Sequence, residues 1–317
     1  MDICFIKACE IIRKAENMLE FKSVEHLDGD LYRKTLKKIN FVTRSCEYSF
    51  ANLYAWRNIY DTAFAEVCDG FAFRLMHGGQ AYYFTPVVSD ELMAKAYKEI
   101  IEYAKENGEA SIKFICLTEK STKIFGELFP DTLIEADRDN ADYIYEVEKL
   151  SEFSGKSLHA KKNHKNKFFS LYKDVYRFKS MTKDDVAGCL EFNKKWYELN
   201  KEFALEDEKE ATEQLLMNFE KIGLVGALIF VNGKLCAYTL ASSLCDGSDT
   251  LIIHTEKGLY DYHGIYPTIC SEFVKHHKIN YTYINREDDA GDEGLRKSKL
   301  SYKPAFFEEK YSAELHF

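Results

Sequence analysis

Asn232-Gly233 lies between two apolar runs, Val225–Val231 and Leu235–Ser243. A two-residue hairpin turn of type I′ needs positive φ at both central residues, and Asn-Gly supplies it most readily. The two runs must therefore fold as antiparallel partners, which frames the second half of the chain. Before the hairpin, periodicity predicts a helix over Lys183–Asn200 and an acidic helix over Asp207–Lys221. After it come a strand at Thr250–Thr255, a helix from about Pro267 to His277 and a strand at Tyr281–Asn285. Proline suits a first helical turn, where no amide hydrogen is required.

The first half carries the same order. Phe50–Tyr60 reads as an aromatic-rich helix, and the strands Ala65–Val67, Phe71–Met76 and Ala81–Phe84 are divided by Asp69-Gly70 and Gly78-Gly79. A helix over Glu91–Asn107, a buried strand at Ile112–Leu117 and a strand at Tyr143–Val147 close that half. One order repeated about 150 residues apart predicts an α/β protein of two mixed-sheet units in tandem. The expected division is 1–150, a connection at 151–172, and 173–317, completed by the strand Phe306–Tyr311.

With 317 residues, 46% hydrophobic and 30% charged, and only four prolines, the chain has the material for full cores and little linker. A net charge of −9 argues against wholesale binding of nucleic acid or anionic membrane. No apolar run approaches the ~20 residues that cross a bilayer. The start, MDICFIKACEIIRKAEN, has acidic residues and no continuous apolar core, so it reads as an amphipathic segment and not a signal peptide. Nine scattered cysteines form no CxxC and no zinc spacing. They behave as small hydrophobes in a reducing compartment, most simply the cytoplasm, and no metal site is expected.

Two segments break the acidic background. Gly155–Tyr172 (GKSLHAKKNHKNKFFSLY) is the most basic stretch and falls at the junction of the halves. On a helix, Ser157, Lys161 and Lys165 share one face, and Leu158, Lys162 and Asn166 a neighbouring one. Lys161, Lys162, His164, Lys165 and Lys167 could track the phosphates of a tRNA acceptor stem. The bland alternative is a basic helix facing the acidic one. The other segment, Tyr281–Lys310, reads as a strand, an acidic turn, a short cationic helix capped by Asp292, and a last aromatic strand.

The helix–hairpin–strand–helix–strand order is that of the GCN5-related N-acetyltransferase (GNAT) fold. Through Asn52–Arg57 (NLYAWR), Gly155–Phe168 (GKSLHAKKNHKNKF), Ile284–Asp289 (INREDD) and Gly294–Pro304 (GLRKSKLSYKP), the chain resembles an uncharacterised bacterial family related to the C-terminal domain of phosphatidylglycerol lysyltransferases. That family is two GNAT-like units in tandem, an arrangement shared with the Fem-type aminoacyl transferases. The resemblance implies transfer of an acyl group, foremost an aminoacyl group from a charged tRNA, to a small-molecule amine or hydroxyl. Gly294, Leu295, Arg296, Lys299, Tyr302 and Pro304 match the terminal pattern, whereas Ser301 stands where a lysine belongs.

Expected catalytic residues are Asn285, Arg286 and Lys299, with cationic groups stabilising the oxyanion as the acceptor attacks directly. Arg296 and Tyr302 are expected to bind substrate, and His254, Tyr262 and His263 to line the acceptor cleft. Solvated charge and an ordinary helix-capping turn are the competing readings of these residues. An acyl-CoA donor is the alternative, but Glu256–Pro267 (EKGLYDYHGIYP) lacks the glycine spacing and arginine of a pyrophosphate loop. A further alternative is a non-catalytic, degenerate GNAT-like protein that binds a ligand or a partner.

Overall fold

A computed structural model of the chain describes residues 19–201 and 205–317. The expected amphipathic segment at 1–17 lies outside the described residues. The first-half strands are β1 (Lys22–Ser23), β2 (Ala63–Val67), β3 (Gly70–His77), β4 (Gln80–Phe84), β5 (Ser111–Leu117) and β6 (Ile134–Ala136). The remainder are β7 (Asp142–Glu146), β8 (Tyr176–Ser180), β9 (Val225–Val231), β10 (Lys234–Ser243), β11 (Thr250–Gly258), β12 (Tyr283–Asn285), β13 (Phe306–Glu308) and β14 (Tyr311–His316).

They form two sheets, ordered β1-β2-β3-β4-β5-β14-β6 and β13-β7-β12-β11-β10-β9-β8. In each sheet three consecutive antiparallel strands (β2–β4, β9–β11) are followed by a parallel partner, β5 or β12. The tandem of GNAT-like units is thus visible in the ladder itself. Two of the three expected hairpin turns adopt the expected conformation, with positive φ at Asn232 and Gly233 (50° and 76°) and at Gly78 and Gly79 (58° and 80°). The third turns one residue before the expected Asp69-Gly70, at Cys68-Asp69, with positive φ at Cys68 (52°) and Gly70 already paired with Val67 in the ladder.

The division of the chain at 150 needs correction, because the halves exchange strands. β7, expected to close the first unit, pairs antiparallel with β12 and β13 in the second sheet. The expected final strand is two strands: β13 stays in the second sheet, while β14 returns to lie between β5 and β6 of the first. Apolar alternation fixes which face of a strand is buried but not which sheet it joins.

Lys310, buried between β13 and β14, pins this crossing by donating to Asp142 Oδ1 (2.8 Å) and Glu47 Oε1 (2.5 Å). Burial pulls its ammonium pKa down, but Asp142, Cys46 and Glu47 together hold it well above the ordinary value. The ligand atoms of Cys46, Glu47, Asp142 and Asp288 lie within 4.8 Å of one another. The ammonium among them makes this an internal ion cluster, to which no metal role is assigned.

The helices are α1 (Gly29–Lys38), α2 (Phe50–Ala55), α3 (Asp90–Glu106), α4 (Glu119–Leu128), α5 (Val147–Glu152) and α6 (His159–Tyr172). They continue with α7 (Val186–Leu199), α8 (Glu206–Met217), α9 (Phe219–Ile222), α10 (Ile265–His277) and α11 (Glu293–Leu300). α3 and α4 cover the outer face of the first sheet, burying Tyr97, Ile100 and Phe125 against Phe114. α5, α6 and α10 cover the outer face of the second.

Between the sheets α1, α2, α7 and α8 share one core, where Tyr32, Phe50 and Tyr54 meet Phe192, Leu215 and Tyr238. Arg57, from the NLYAWR segment, is buried there, 3.9 Å above the Tyr54 ring and bonded to the Tyr54 carbonyl (2.6 Å) and Gln214 (3.1 Å). The two units therefore share a core as well as strands.

Candidate functional site

β11 and β12 run parallel for three residue pairs, ending at Ile252↔Asn285. β11 continues to Gly258, while β12 ends and the backbone after it turns away through Arg286 and Glu287, whose φ is +57°. A wedge opens where the strands part. β11 is also bulged there: Leu240 of β10 faces Thr255, Ala241 faces Ile253, and His254 is the extra residue.

On the face covered by α6 and α10, Arg286 crosses the wedge to Glu256 of β11 through an Nη2–Oε2 ion pair. The guanidinium sits 4.5 Å from the centre of the Tyr302 ring and 5.9 Å from that of Tyr145. Lys161, reaching in from α6, holds its ammonium 3.8 Å from the same Tyr302 ring. Burial, and then the Arg286 charge, depress the Lys161 pKa to about 8. Behind them the Cys270 thiol is pushed up to about 12 by burial and by Glu256, so it is no nucleophile at neutral pH.

Two cations and one carboxylate leave this cluster one positive charge in excess. Arg286 Nη1 and Glu256 Oε1 are buried without a hydrogen-bond partner among the described residues. A buried donor and acceptor left unpaired each cost about 1–3 kcal/mol. Such a pair would be satisfied together by a group that offers both an electron-rich oxygen and an N–H.

The other expected residues fall into different places. Asn285 is fully buried: its amide donates to the Arg44 carbonyl (2.5 Å) and Asp142 (2.8 Å), and its oxygen accepts from the Glu287 amide (2.5 Å). Both of its N–H donors are consumed by the fold and the side chain is buried, so it shapes the turn. Lys299 is likewise turned inward, donating to the carbonyls of Arg286 (2.7 Å) and Asp288. Burial lowers its pKa, and its role is to hold the Arg286–Asp288 turn in place.

Arg296 is no free anion site either. Its Nε and Nη2 donate to Asp289 (2.9 and 2.6 Å), and Nη2 also reaches Asp139 (2.7 Å). The cap itself is as expected, with Asp292 Oδ1 accepting from the Leu295 amide (2.6 Å).

Tyr262 and His263 miss the wedge because the loop that carries them folds against α6. The Tyr262 ring lies 5.6 Å from Tyr172, and Cys236 pushes the phenol up to about 12. His263 Nε2 is 3.2 Å from His164 Nδ1. Gly264 allows this packing: its φ is +79°, and a Cβ there would stand 2.2 Å from the His164 carbonyl oxygen. α6 therefore lies over the N-terminus of α10. The Ile265 amide is spent on the Tyr262 carbonyl (3.0 Å), and Pro267 has none to give.

The basic junction helix splits by face. Lys161 and Lys165 do share one, as expected, but it is the buried one: Lys165 bonds Ser271 (2.6 Å) and Glu272 (2.9 Å) on α10. Neither is available to a phosphate backbone. Lys162, His164 and Lys167 remain exposed. The partner of α6 is thus α10, not the acidic α8, whose Glu208 instead meets Lys257 (2.5 Å).

Glu256 and Lys161 complete the wedge, yet Glu256 was absent from the expected site. The available signal was a carboxylate embedded in the strand text TLIIHTEKG, since buried charge in a strand is rare unless paired. On the opposite face of the sheet His254 lies between Ser242 and Glu287, with Nε2 2.8 Å from Ser242 Oγ and Nδ1 2.9 Å from Glu287 Oε1.

Residues 40–314 match the model of the family described as "Phosphatidylglycerol lysyltransferase, C-terminal". A conserved protein of unknown function from Bacteroides thetaiotaomicron is 33% identical, with 94% of this chain and 100% of that one aligned at a TM-score of 0.87. L-PGS from Bacillus licheniformis is 15% identical over 90% of this chain and 91% of that one, at a TM-score of 0.64, a likeness of fold. An uncharacterised protein from Mycoplasmoides gallisepticum is 25% identical over 173 residues, 54% of this chain. The match spans about half the length of that relative, 55%. No described helix is long and apolar enough to cross a membrane.

Proposed function

The chain belongs to the phosphatidylglycerol lysyltransferase C-terminal family, and from that premise we propose that it is an acyltransferase moving an aminoacyl group from a charged tRNA to an amine or hydroxyl. The observation that carries this reading is the unpaired Arg286 Nη1 beside the unpaired Glu256 Oε1 in the wedge. An aminoacyl ester has both complements within one small group. Its carbonyl oxygen accepts from Arg286 and gathers charge as the acceptor attacks, and its α-ammonium donates to Glu256. Lys161 adds a second positive charge in a largely dry site, where it counts for more than in water. The acceptor attacks the carbonyl carbon, a tetrahedral oxyanion forms, and the ester C–O bond breaks to release the tRNA 3′-hydroxyl.

The covered N-terminus of α10 argues for this donor over acyl-CoA. Pyrophosphate binding at a helix start needs free amides and room for the phosphates. Here one amide is spent, one is missing, and the His164 carbonyl stands over Gly264. The exposed Lys162 and Lys167 offer the outer face of α6 to tRNA phosphates, a contact that weakens steeply with salt.

The test is a binding comparison by thermal shift and calorimetry. The probes are acetyl-CoA and a non-hydrolysable 3′-aminoacylamino-adenosine, which presents the aminoacyl end of charged tRNA. The adenosine analogue should raise the melting temperature of the wild type and not of Arg286→Met. Low-micromolar binding of acetyl-CoA would overturn the choice of donor.

A further inference from the structure

The wedge is crossed twice, once on each face of the sheet. Arg286 meets Glu256 on the α10 side, and the next residue, Glu287, meets His254 on the side of α2. The second crossing belongs to a chain of three groups. Glu287 Oε1 is 2.9 Å from His254 Nδ1, and His254 Nε2 is 2.8 Å from Ser242 Oγ on β10. A carboxylate only accepts, so Nδ1 carries a proton, and Nε2 is the atom that meets the serine hydroxyl.

Glu287 is fixed through backbone and side chain: its amide donates to Asn285 Oδ1 (2.5 Å), its carbonyl accepts from the Tyr143 amide (3.1 Å), and its Oε1 accepts from Asn52 Nδ2 (3.1 Å). Its backbone is fixed at φ +57°, a conformation a glutamate seldom adopts without compensation elsewhere. Exposure runs along the chain in one direction. The His254 side chain is 1% exposed, whereas that of Glu287 is 23% exposed. The open end is the carboxylate, beside a wedge whose far face holds the ester in the reading above.

We propose that Glu287 is the base that takes the proton from the attacking acceptor, with His254 and Ser242 as positioning residues behind it. This rests on the acyl-transfer reading and assigns the proton that reading leaves unplaced. A neutral amine or hydroxyl acceptor must lose one proton as its N–C or O–C bond forms. Oε2 of Glu287 receives it, while Oε1 stays bonded to His254 and Asn52. The proton then passes to the departing 3′-oxygen of the tRNA, so the glutamate is restored.

The experiment follows loss of the aminoacyl group from a pool of tRNA charged with all amino acids, with two surrogate acceptors. Hydroxylamine is uncharged at neutral pH and strongly nucleophilic, so it needs no base, whereas water does. The wild type should accelerate both reactions. Glu287→Gln should lose hydrolysis by about 10²–10⁴-fold, the usual effect of a positioned base, and keep hydroxylaminolysis within about threefold.

Retention of both reactions, or equal loss of both with the fold intact, would overturn the assignment. So would a wild type that uses hydroxylamine but never water, because a seated base activates water as well. A wild type inert to both acceptors would instead bring down the acyl-transfer reading itself. Should Glu287→Gln fail to fold, Ser242→Ala at the far end provides the same measurement. It should lower hydrolysis relative to hydroxylaminolysis, and an unchanged ratio would overturn the relay.

Discussion

Asp289→Asn separates a structural clamp from an anion-binding site at the start of α11. Burial pushes the Asp289 carboxyl up, but hydrogen bonds from Arg296, Tyr143 and the Gly291 amide outweigh it and hold the pKa at about 2, against 3.8. Holding the carboxyl that far below its ordinary value corresponds to ~2.4 kcal/mol, at ~1.36 kcal/mol per tenfold change in proton affinity. The Arg296 side chain is 31% exposed. Solvent screening at that end brings the expected loss to roughly 1–2 kcal/mol.

The sign follows from a depressed folded-state value. The contribution is fully present above the unfolded pKa near 3.9 and is lost as the pH falls toward about 2. Urea unfolding, followed by circular dichroism, should show a gap between wild type and variant that is constant from about pH 7 to 5. The gap should then close as the pH falls through about 4. A gap below ~0.3 kcal/mol at neutral pH, or one that does not close in acid, would refute the clamp. Added phosphate should stabilise neither protein through Arg296; a phosphate-dependent rise lost in Arg296→Ala would restore that residue as an anion site.

Other perturbations test other parts of the structure. Gly264→Ala combines left-handed strain of about 1–2 kcal/mol with overpacking of about 1–3 kcal/mol against the His164 carbonyl. A melting temperature equal to wild type would show that α6 does not lie on α10. Lys310→Met leaves Asp142 and Glu47 buried without their cation and should destabilise by about 3–5 kcal/mol. Adding Asp142→Asn should recover part of that loss, and strict additivity of the two changes would count against the cluster. Lys161, labelled by reductive methylation with 13C, should titrate near 8 in NMR and move upward in Arg286→Met; titration at an ordinary lysine pH in the wild type would place it outside the wedge.

Local chemistry was the part of the fold legible in the sequence. Asn232-Gly233 and Gly78-Gly79 turn as their residue types require, and the Asp292 cap stands where the text put it. Strand exchange was not legible, because β7 and β14 have ordinary alternation and only long-range pairing decides their sheet.

The site was half legible for a related reason. Arg286, Lys161 and Tyr302 stand out in the sequence, but a cationic residue in a sequence does not announce its counter-charge. Asp289 claims Arg296, two backbone carbonyls claim Lys299, and Glu272 claims Lys165. Only contacts across the fold separate those spent cations from Arg286, which keeps a free donor. Glu256 is hidden from a sequence reading because apolar character ends at Thr255, whereas β11 runs on to Gly258.

The central claim is that the wedge between β11 and β12 performs acyl transfer through Arg286. Its most direct test is the rate at which hydroxylamine strips the aminoacyl group from the charged tRNA pool, compared between wild type and Arg286→Met. The wild type should accelerate the reaction. The variant, melting within a few degrees of it, should lose about 10²–10³-fold, as removal of one oxyanion donor does. Equal rates in the two folded proteins, or no acceleration by the wild type, would contradict the claim.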